Sequence, residues 1–221
     1  MELPEDVEAG QAVYNRATLA VYDVGVLGVS CRLLWRCPKA VMLAGYDRNV
    51  GTRHLELGVG TAYFLDRCRF PGPRPRLTLL DLNPTVLTVA AARISRYQPQ
   101  VVRANVLEPL PVPAEAYDSV GMNFLLHCLP GDWRVKGAVF TNAASALRPG
   151  GRLFGSTILA DGVTTTAPAR AVMRLYNSRG IFHNAGDDLA GLREELASRF
   201  ADHRITVRGC VGLFEARTPA P

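Results

Sequence analysis

Two apolar runs leave this chain few folds to choose from: one broken by glycines, Leu-Glu-Leu-Gly-Val-Gly-Thr at 55–61, and one ending on an acid, Leu-Thr-Leu-Leu-Asp at 77–81. Residues 55–57 are short and apolar enough for a buried strand, Gly58 and Gly60 permit a tight strand-to-helix turn, and residues 61–68 continue as a helix. Glycines at such a turn also let a ligand come close to backbone N–H groups. Asp81 then falls one βαβ unit further on, a layout that serves nucleoside binding.

The residues around the glycines separate two kinds of nucleoside ligand. A dinucleotide fingerprint wants a third small residue at position 63 and an open helix N-terminus for pyrophosphate. Tyr63 fills that place. Glu56, at the strand's carboxyl end, repels phosphate and attracts an ammonium or sulfonium at close range. Asp81 accepts from ribose hydroxyls in either case. The pair suits a nucleoside that is cationic at its far end, as S-adenosylmethionine is. The plainer alternative makes Glu56 an ordinary strand-end acid and the glycines a structural turn.

Strands and helices alternate downstream. Asn83-Pro84 is an N-cap followed by a proline at the first helical position, and Leu87, Ala90, Ala91 and Ile94 recur at helical spacing. A third strand is expected at 101–104, ending at Asn105 and Val106. A proline-rich loop then runs through Pro113 to a fourth strand at 117–124. From Asp132 a helix with Trp133, Phe140, Ala144 and Leu147 on one face runs to a Pro-Gly-Gly stop at 149–151 and a fifth strand at 152–159. Further helices are expected at 39–47, behind Pro38, and at 188–200, and two alternating runs at 204–208 and 211–217 form a closing hairpin. Strands alternating with amphipathic helices predict a parallel sheet covered on both faces, with ligands at the strands' carboxyl ends.

With these pieces in order, the chain resembles the class I S-adenosylmethionine-dependent methyltransferases over residues 53 to about 160. The resemblance implies an α/β fold, a Rossmann-like doubly wound seven-stranded sheet, mostly parallel with an antiparallel last strand, plus an N-terminal helical lid. It implies one methyltransferase domain over 1–221, divided into a lid (1–50), a cofactor-binding core (53–160), a substrate-roof insert (161–186) and a final helix and hairpin (187–221). The family places its glycine loop under the methionine part of S-adenosylmethionine, which implicates Glu56, Gly58, Gly60 and Thr61. Asp81 is matched to the ribose, Leu82 to the adenine, Asn105 and Val106 to the adenine edge, and Asn123, at the end of the fourth strand, to the methionine end. In relatives the N-terminal segment closes over the cofactor, which makes Tyr22 and Trp35 candidate cofactor contacts and Tyr14 a candidate pocket wall; core packing of these aromatics is the alternative.

Composition narrows the partners. The chain has 221 residues, 48% of them apolar, enough for one α/β core. It contains no apolar run of membrane-spanning length, and its acidic start lacks the basic segment of a signal peptide, so a soluble cytoplasmic protein is expected. Five cysteines lack metal or cluster spacing, so reduced thiols and no metal site are expected. The net charge of +5 arises from twenty-three arginines and two lysines scattered among acids, with no basic tract, and Asn-Phe-Leu-Leu at 123–126 lacks the proline turn used by amino-methylases of DNA bases. No nucleic-acid and no membrane partner is expected; the partner is a small-molecule methyl acceptor.

Methyl transfer from a sulfonium chiefly needs the nucleophile held in line, and a base only if the acceptor must lose a proton. His127, just past the fourth strand, is the candidate general base, with a backbone-bonded structural histidine as the alternative; His54 and His203 sit at strand starts, away from the chemistry. Tyr176, Asn177 and His183 of the roof insert join Tyr14 and His127 as candidate substrate-pocket residues. The function implied is methyl transfer to an oxygen, nitrogen or carbon nucleophile of a small molecule, in a setting such as secondary metabolism. The alternatives are the same fold binding S-adenosylmethionine without methyl transfer, as a cyclase, isomerase or binding subunit, and, further off, a nicotinamide-dependent reductase.

Overall fold

The computed structural model describes residues 25–220; of the side chains of 25–27 and 29 nothing is stated. Among the described residues, two helices precede the sheet. α1 (Gly25–Leu34) is wound with wide, π-type turns, and α2 (Lys39–Asn49) starts directly behind Pro38, whose fixed φ suits a helix entry. The sheet and its connections follow as β1 (Arg53–Leu57), α3 (Tyr63–Arg67), β2 (Arg76–Asp81), α4 (Pro84–Arg93), β3 (Gln100–Arg103), β4 (Tyr117–Asn123), α5 (Trp133–Ala146) and β5 (Leu147–Ile158). After β5 come α6 (Ala167–Ser178), α7 (Leu189–Ala197), β6 (Asp202–Arg208) and β7 (Val211–Arg217).

The strand order is β3-β2-β1-β4-β5-β7-β6, with β7 antiparallel to both neighbours and the other pairs parallel. The order reverses between β1 and β4, and a crevice at the strands' carboxyl ends opens there. This is the doubly wound sheet with an antiparallel last strand that the alternating pattern predicts.

Two apolar clusters cover the two faces. One gathers Met42 and Tyr46 of α2, Phe64 of α3, Leu87 of α4 and Met173 of α6; the other gathers Phe140 of α5 and Leu192 of α7 with Leu55 and Leu57 of β1. Strand alternation therefore turns His54 and Glu56 toward the α2 side. Among the described residues no helix is long and apolar enough to cross a membrane.

Element ends shift by up to three residues from the sequence expectation, and two boundaries differ in kind. α3 starts at Tyr63 rather than at 61, because Ala62 takes a left-handed backbone (φ +55°) that a helix cannot include. β5 starts at Leu147, which pairs with Tyr117, and the Pro-Gly-Gly stretch, with Gly150 at φ +70°, lies where the register shifts before Arg152 pairs with Ser119. The helix start at Asn83 is as expected, its Oδ1 accepting from the N–H groups of Thr85 (2.9 Å) and Val86 (3.3 Å).

Candidate active site

The β1–α3 turn is shaped by its glycines. Gly58 (φ +67°) and Gly60 (φ +52°) both take left-handed backbone, which costs an L side chain. A Cβ on Gly58 would also stand 2.7 Å from Leu125 Cδ1, so the turn and the segment after β4 approach more closely than a side chain permits. The cavity between them is walled by Val59, Thr61, Tyr63, Phe64, Val86, Phe124, Leu125, Cys128 and Leu129, a mostly apolar surface that also carries two carboxylates.

The first carboxylate is Asp81, at the tip of β2. Its Oδ1 accepts from the N–H of Asn83 at 2.9 Å, and the N–H groups of Val59 and Leu82 also point to it. Burial nevertheless outweighs these donors and pushes its carboxyl up to about 6. The second is Glu56, 3% exposed, with one oxygen 2.5 Å from Tyr46 Oη and the other 2.8 Å from His54 Nε2.

Of the residues singled out in the sequence for the cofactor, Glu56, Gly58, Gly60, Thr61, Asp81, Leu82, Asn105, Val106 and Asn123 all line this one cavity. Asn105 turns its Oδ1 toward the Leu107 N–H at 3.1 Å, fixing the loop that forms the wall. Trp35 is not on the wall. It is 2% exposed, packs 5.9 Å from Phe182, and its carbonyl accepts from the Cys210 N–H, so burial against the β6–β7 turn removes it from the cavity. Tyr22 and Tyr14 lie outside the described residues.

The catalytic and substrate candidates form a layer behind the cavity. His127 is 3% exposed, with its ring 4.5 Å from Phe182 and 5.5 Å from Phe124, and its Nδ1 takes the Ile158 N–H at 3.4 Å. Burial, and then the Lys136 charge, push its imidazole down to about 3. His127, the expected general base, does not line the cavity: Phe124 stands on the wall, its ring 5.5 Å from the imidazole. Tyr176 packs on Phe182 at 5.0 Å, and Asn177 donates to Met173 O and Asn184 Oδ1, both at 2.8 Å. His183 gives its N–H to His127 O at 2.8 Å, and its carbonyl accepts from Lys136 Nζ at 2.9 Å. None of these three lines the cavity; they tie the insert to the sheet.

Sequence reasoning missed Tyr46, His54 and Phe124. The spacing of His54 and Glu56, two apart in one strand, already puts them on a shared face. Phe124 is a non-glycine residue at φ +55°, a strained backbone that no residue pattern reveals.

A family model described as a methyltransferase domain matches residues 55–153. The demethylluteothin O-methyltransferase of Streptomyces thioluteus is 46% identical over 216 residues, covering 98% of this chain and 94% of its own. The physcion biosynthesis cluster O-methyltransferase of Aspergillus chevalieri is 39% identical over 214 residues, covering 96% of each. Among solved structures, a Haemonchus contortus phosphoethanolamine N-methyltransferase in complex with S-adenosylhomocysteine shares the fold at a TM-score of 0.72, with 14% identity over 99% of this chain and 62% of that one. With this sheet order, glycine turn and acid pair, and with relatives of that identity along nearly its whole length, the chain belongs to the class I methyltransferases that use S-adenosylmethionine.

Proposed function

We propose that this enzyme methylates a hydroxyl of a small molecule of the natural-product kind, with S-adenosylmethionine held in the cavity between Glu56 and Asp81. One observation carries the placement: residues from the ends of β1, β2, β3 and β4 line a single, mostly apolar cavity that holds both the Glu56 and the Asp81 carboxylate. The Gly58 cradle, which a Cβ would fill, fits close approach of a ligand to the turn. When bound, S-adenosylmethionine supplies the methyl group on an activated sulfonium.

The chain's own residues then have separable tasks. Asp81 accepts from the ribose hydroxyls, Leu82 and Val106 cover the adenine, and Glu56 offers negative charge to the cationic methionine end. Tyr63, Phe124, Leu125 and Leu129 exclude water, which strengthens every charge interaction inside. Holding the nucleophile in line is worth several kcal/mol of barrier at least, on the order of 7–11 in well-oriented systems.

The oxygen acceptor is supported by the O-methyltransferase names of the two relatives. The position of His127 behind Phe124, with its basicity suppressed, favours an acceptor whose hydroxyl ionises readily, a phenol or an enol, over one that needs a strong protein base. A free small molecule rather than nucleic acid is supported by the arginines. Arg48, Arg69, Arg96, Arg134, Arg148 and Arg199 are each engaged by a carboxylate of the same chain. We place the enzyme in the cytoplasm, with the whole chain working as one catalytic unit.

Calorimetry with S-adenosylmethionine, followed by S-adenosylhomocysteine release across matched panels of phenols, enols, aliphatic alcohols and amines, tests this. Turnover confined to amines overturns the oxygen assignment. Cofactor binding with no turnover on any panel overturns the methyl-transfer assignment.

A further inference from the structure

Glu56 stands at the meeting point of two hydrogen-bond chains whose directions are fixed from their ends. On one side the Gly51 N–H donates to Ser119 Oγ at 2.7 Å, and Ser119 Oγ lies 2.8 Å from His54 Nδ1. On the other, Ser156 Oγ–H donates to Asn123 Oδ1 at 2.5 Å, the Asn123 amide donates to the Tyr46 oxygen, and Tyr46 O–H donates to Glu56 Oε1. A backbone N–H can only donate and a carboxylate can only accept. Nε2 of His54 therefore carries the proton given to Glu56 Oε2, and in the neutral ring Nδ1 then accepts from the Ser119 hydroxyl. Every donor in both arms points at one carboxylate, and such chains polarise one another.

The strand registers build this arrangement. His54 is paired with Ser119, Glu56 with Gly121 and Asn123 with Ser156, all on the face covered by α2. Gly121 is part of it: a Cβ there would stand 2.6 Å from Glu56 Oε2 and 3.1 Å from the His54 ring, so the pair occupies the space a side chain would need. Tyr46 is held in turn by stacking on Phe64 at 5.1 Å and by the edge of Phe154 at 4.9 Å.

We propose that Tyr46 and His54 are positioning residues for cofactor binding, which fix the Glu56 carboxylate from behind so that its remaining lone pairs face the cavity. Neither needs to touch the acceptor. The proposal rests on the reading that Glu56 meets the cationic end of S-adenosylmethionine. Its signature is a change in cofactor affinity with little change in saturated turnover.

The test compares Glu56→Gln, Tyr46→Phe, His54→Phe and His54→Gln by calorimetry with S-adenosylmethionine and by kcat and KM, together with 15N shifts of the His54 ring in the unaltered protein. Glu56→Gln should weaken binding about tenfold or more, as loss of a charge-assisted contact does. Tyr46→Phe and His54→Phe should each raise Kd and KM roughly three- to tenfold, a fraction of that contact, with kcat within about twofold. His54→Gln keeps an N–H donor toward Glu56 and should recover most of the loss, and the ring should show the proton on Nε2. If Glu56→Gln weakens binding while folded Tyr46→Phe and His54→Phe do not, or if His54→Gln is as weak as His54→Phe, the positioning role is overturned and the Glu56 reading stands. If Glu56→Gln binds normally, the Glu56 reading itself is overturned. Should His54→Phe not fold, Tyr46→Phe and the ring protonation decide, a ring protonated on Nδ1 and not on Nε2 counting against the proposal.

Discussion

Two buried acids lie on opposite sides of the cavity wall and are treated in opposite ways. Asp187, between α6 and α7, is 1% exposed, and both its oxygens lie 2.7 Å from Lys136 Nζ; the third ammonium proton goes to His183 O. The pair is closed on itself, with every ammonium donor engaged. Glu56 is equally buried, yet its partners are a phenol and an imidazole, one to each oxygen, and its carboxylate opens on a cavity. A buried carboxylate closed on an ammonium is a structural tie, whereas one held by single donors with an open side keeps lone pairs for a ligand.

Burial dominates even within the closed pair, pushing Asp187 up to about 6 and Lys136 below its usual value. What the pair provides is location. It ties α5 to the 183–187 segment, which Asn184 fixes to β5 through Ile158 O at 2.9 Å. Lys136→Met leaves Asp187 buried without a counter-ion and should cost about 3–5 kcal/mol, read as a lower denaturant midpoint. Adding Asp187→Leu should restore most of that loss, because an apolar pair replaces a desolvated ionic one at little net cost. A double variant as unstable as the single would mean that Asp187 has a second, unrecognised partner.

On the open side, the largest effect should follow removal of the ribose acceptor. Asp81→Ala deletes hydrogen bonds to a charged group worth about 1.5–3 kcal/mol, so affinity for S-adenosylmethionine should fall roughly 10–100-fold by calorimetry. The melting temperature should barely drop, since the carboxyl is held above its ordinary value by desolvation in the free protein. Unchanged affinity would move the ribose elsewhere.

The same group gives a pH dependence whose sign is fixed. Below about pH 6 Asp81 is protonated in the free protein, and two ribose donors then meet an acid that is itself a donor. Binding must release that proton, so affinity should be level above pH 6 and weaken as pH falls through 6, approaching about tenfold per unit. Asp81→Asn should flatten the bend. Persistence of the bend in that variant would assign it to another group.

The two regions also differ in how much of them the residues announce. The sheet, its closing hairpin, the Asn83 cap and the acids at 56 and 81 follow from period, caps and glycines, because each is set by neighbours a few positions away. The segment between β5 and α7 is written in long-range pairs. Nothing in the local pattern around Lys136 signals a partner at 187, and Tyr176, Asn177 and His183 look like a recognition cluster until tertiary packing engages them with Phe182, Asn184 and His127. His54 was legible in part, through its spacing from Glu56, but the direction of its ring depended on Ser119 in a strand not adjacent in sequence. Phe124 illustrates the remaining gap: its left-handed backbone is enforced where β4 ends, its N–H donating to Ser156 O at 2.8 Å.

The smallest expected effect concerns His127, and it separates a structural wall from a chemical one. A positioned general base is worth roughly 10²–10⁴-fold in rate, and the rate should then follow the protonation of that base. Here the imidazole is packed between Phe124 and Phe182, accepts from the Ile158 N–H, and is pushed down to about 3, so across the neutral range it stays unprotonated and shielded from the acceptor. His127→Gln keeps a polar acceptor near Ile158 and loses only ring packing; kcat should fall less than about tenfold, well short of a lost base, with every limb of the pH–rate profile retained. A hundredfold loss accompanied by disappearance of a limb would mean that Phe124 moves aside during turnover and that the imidazole reaches the acceptor after all.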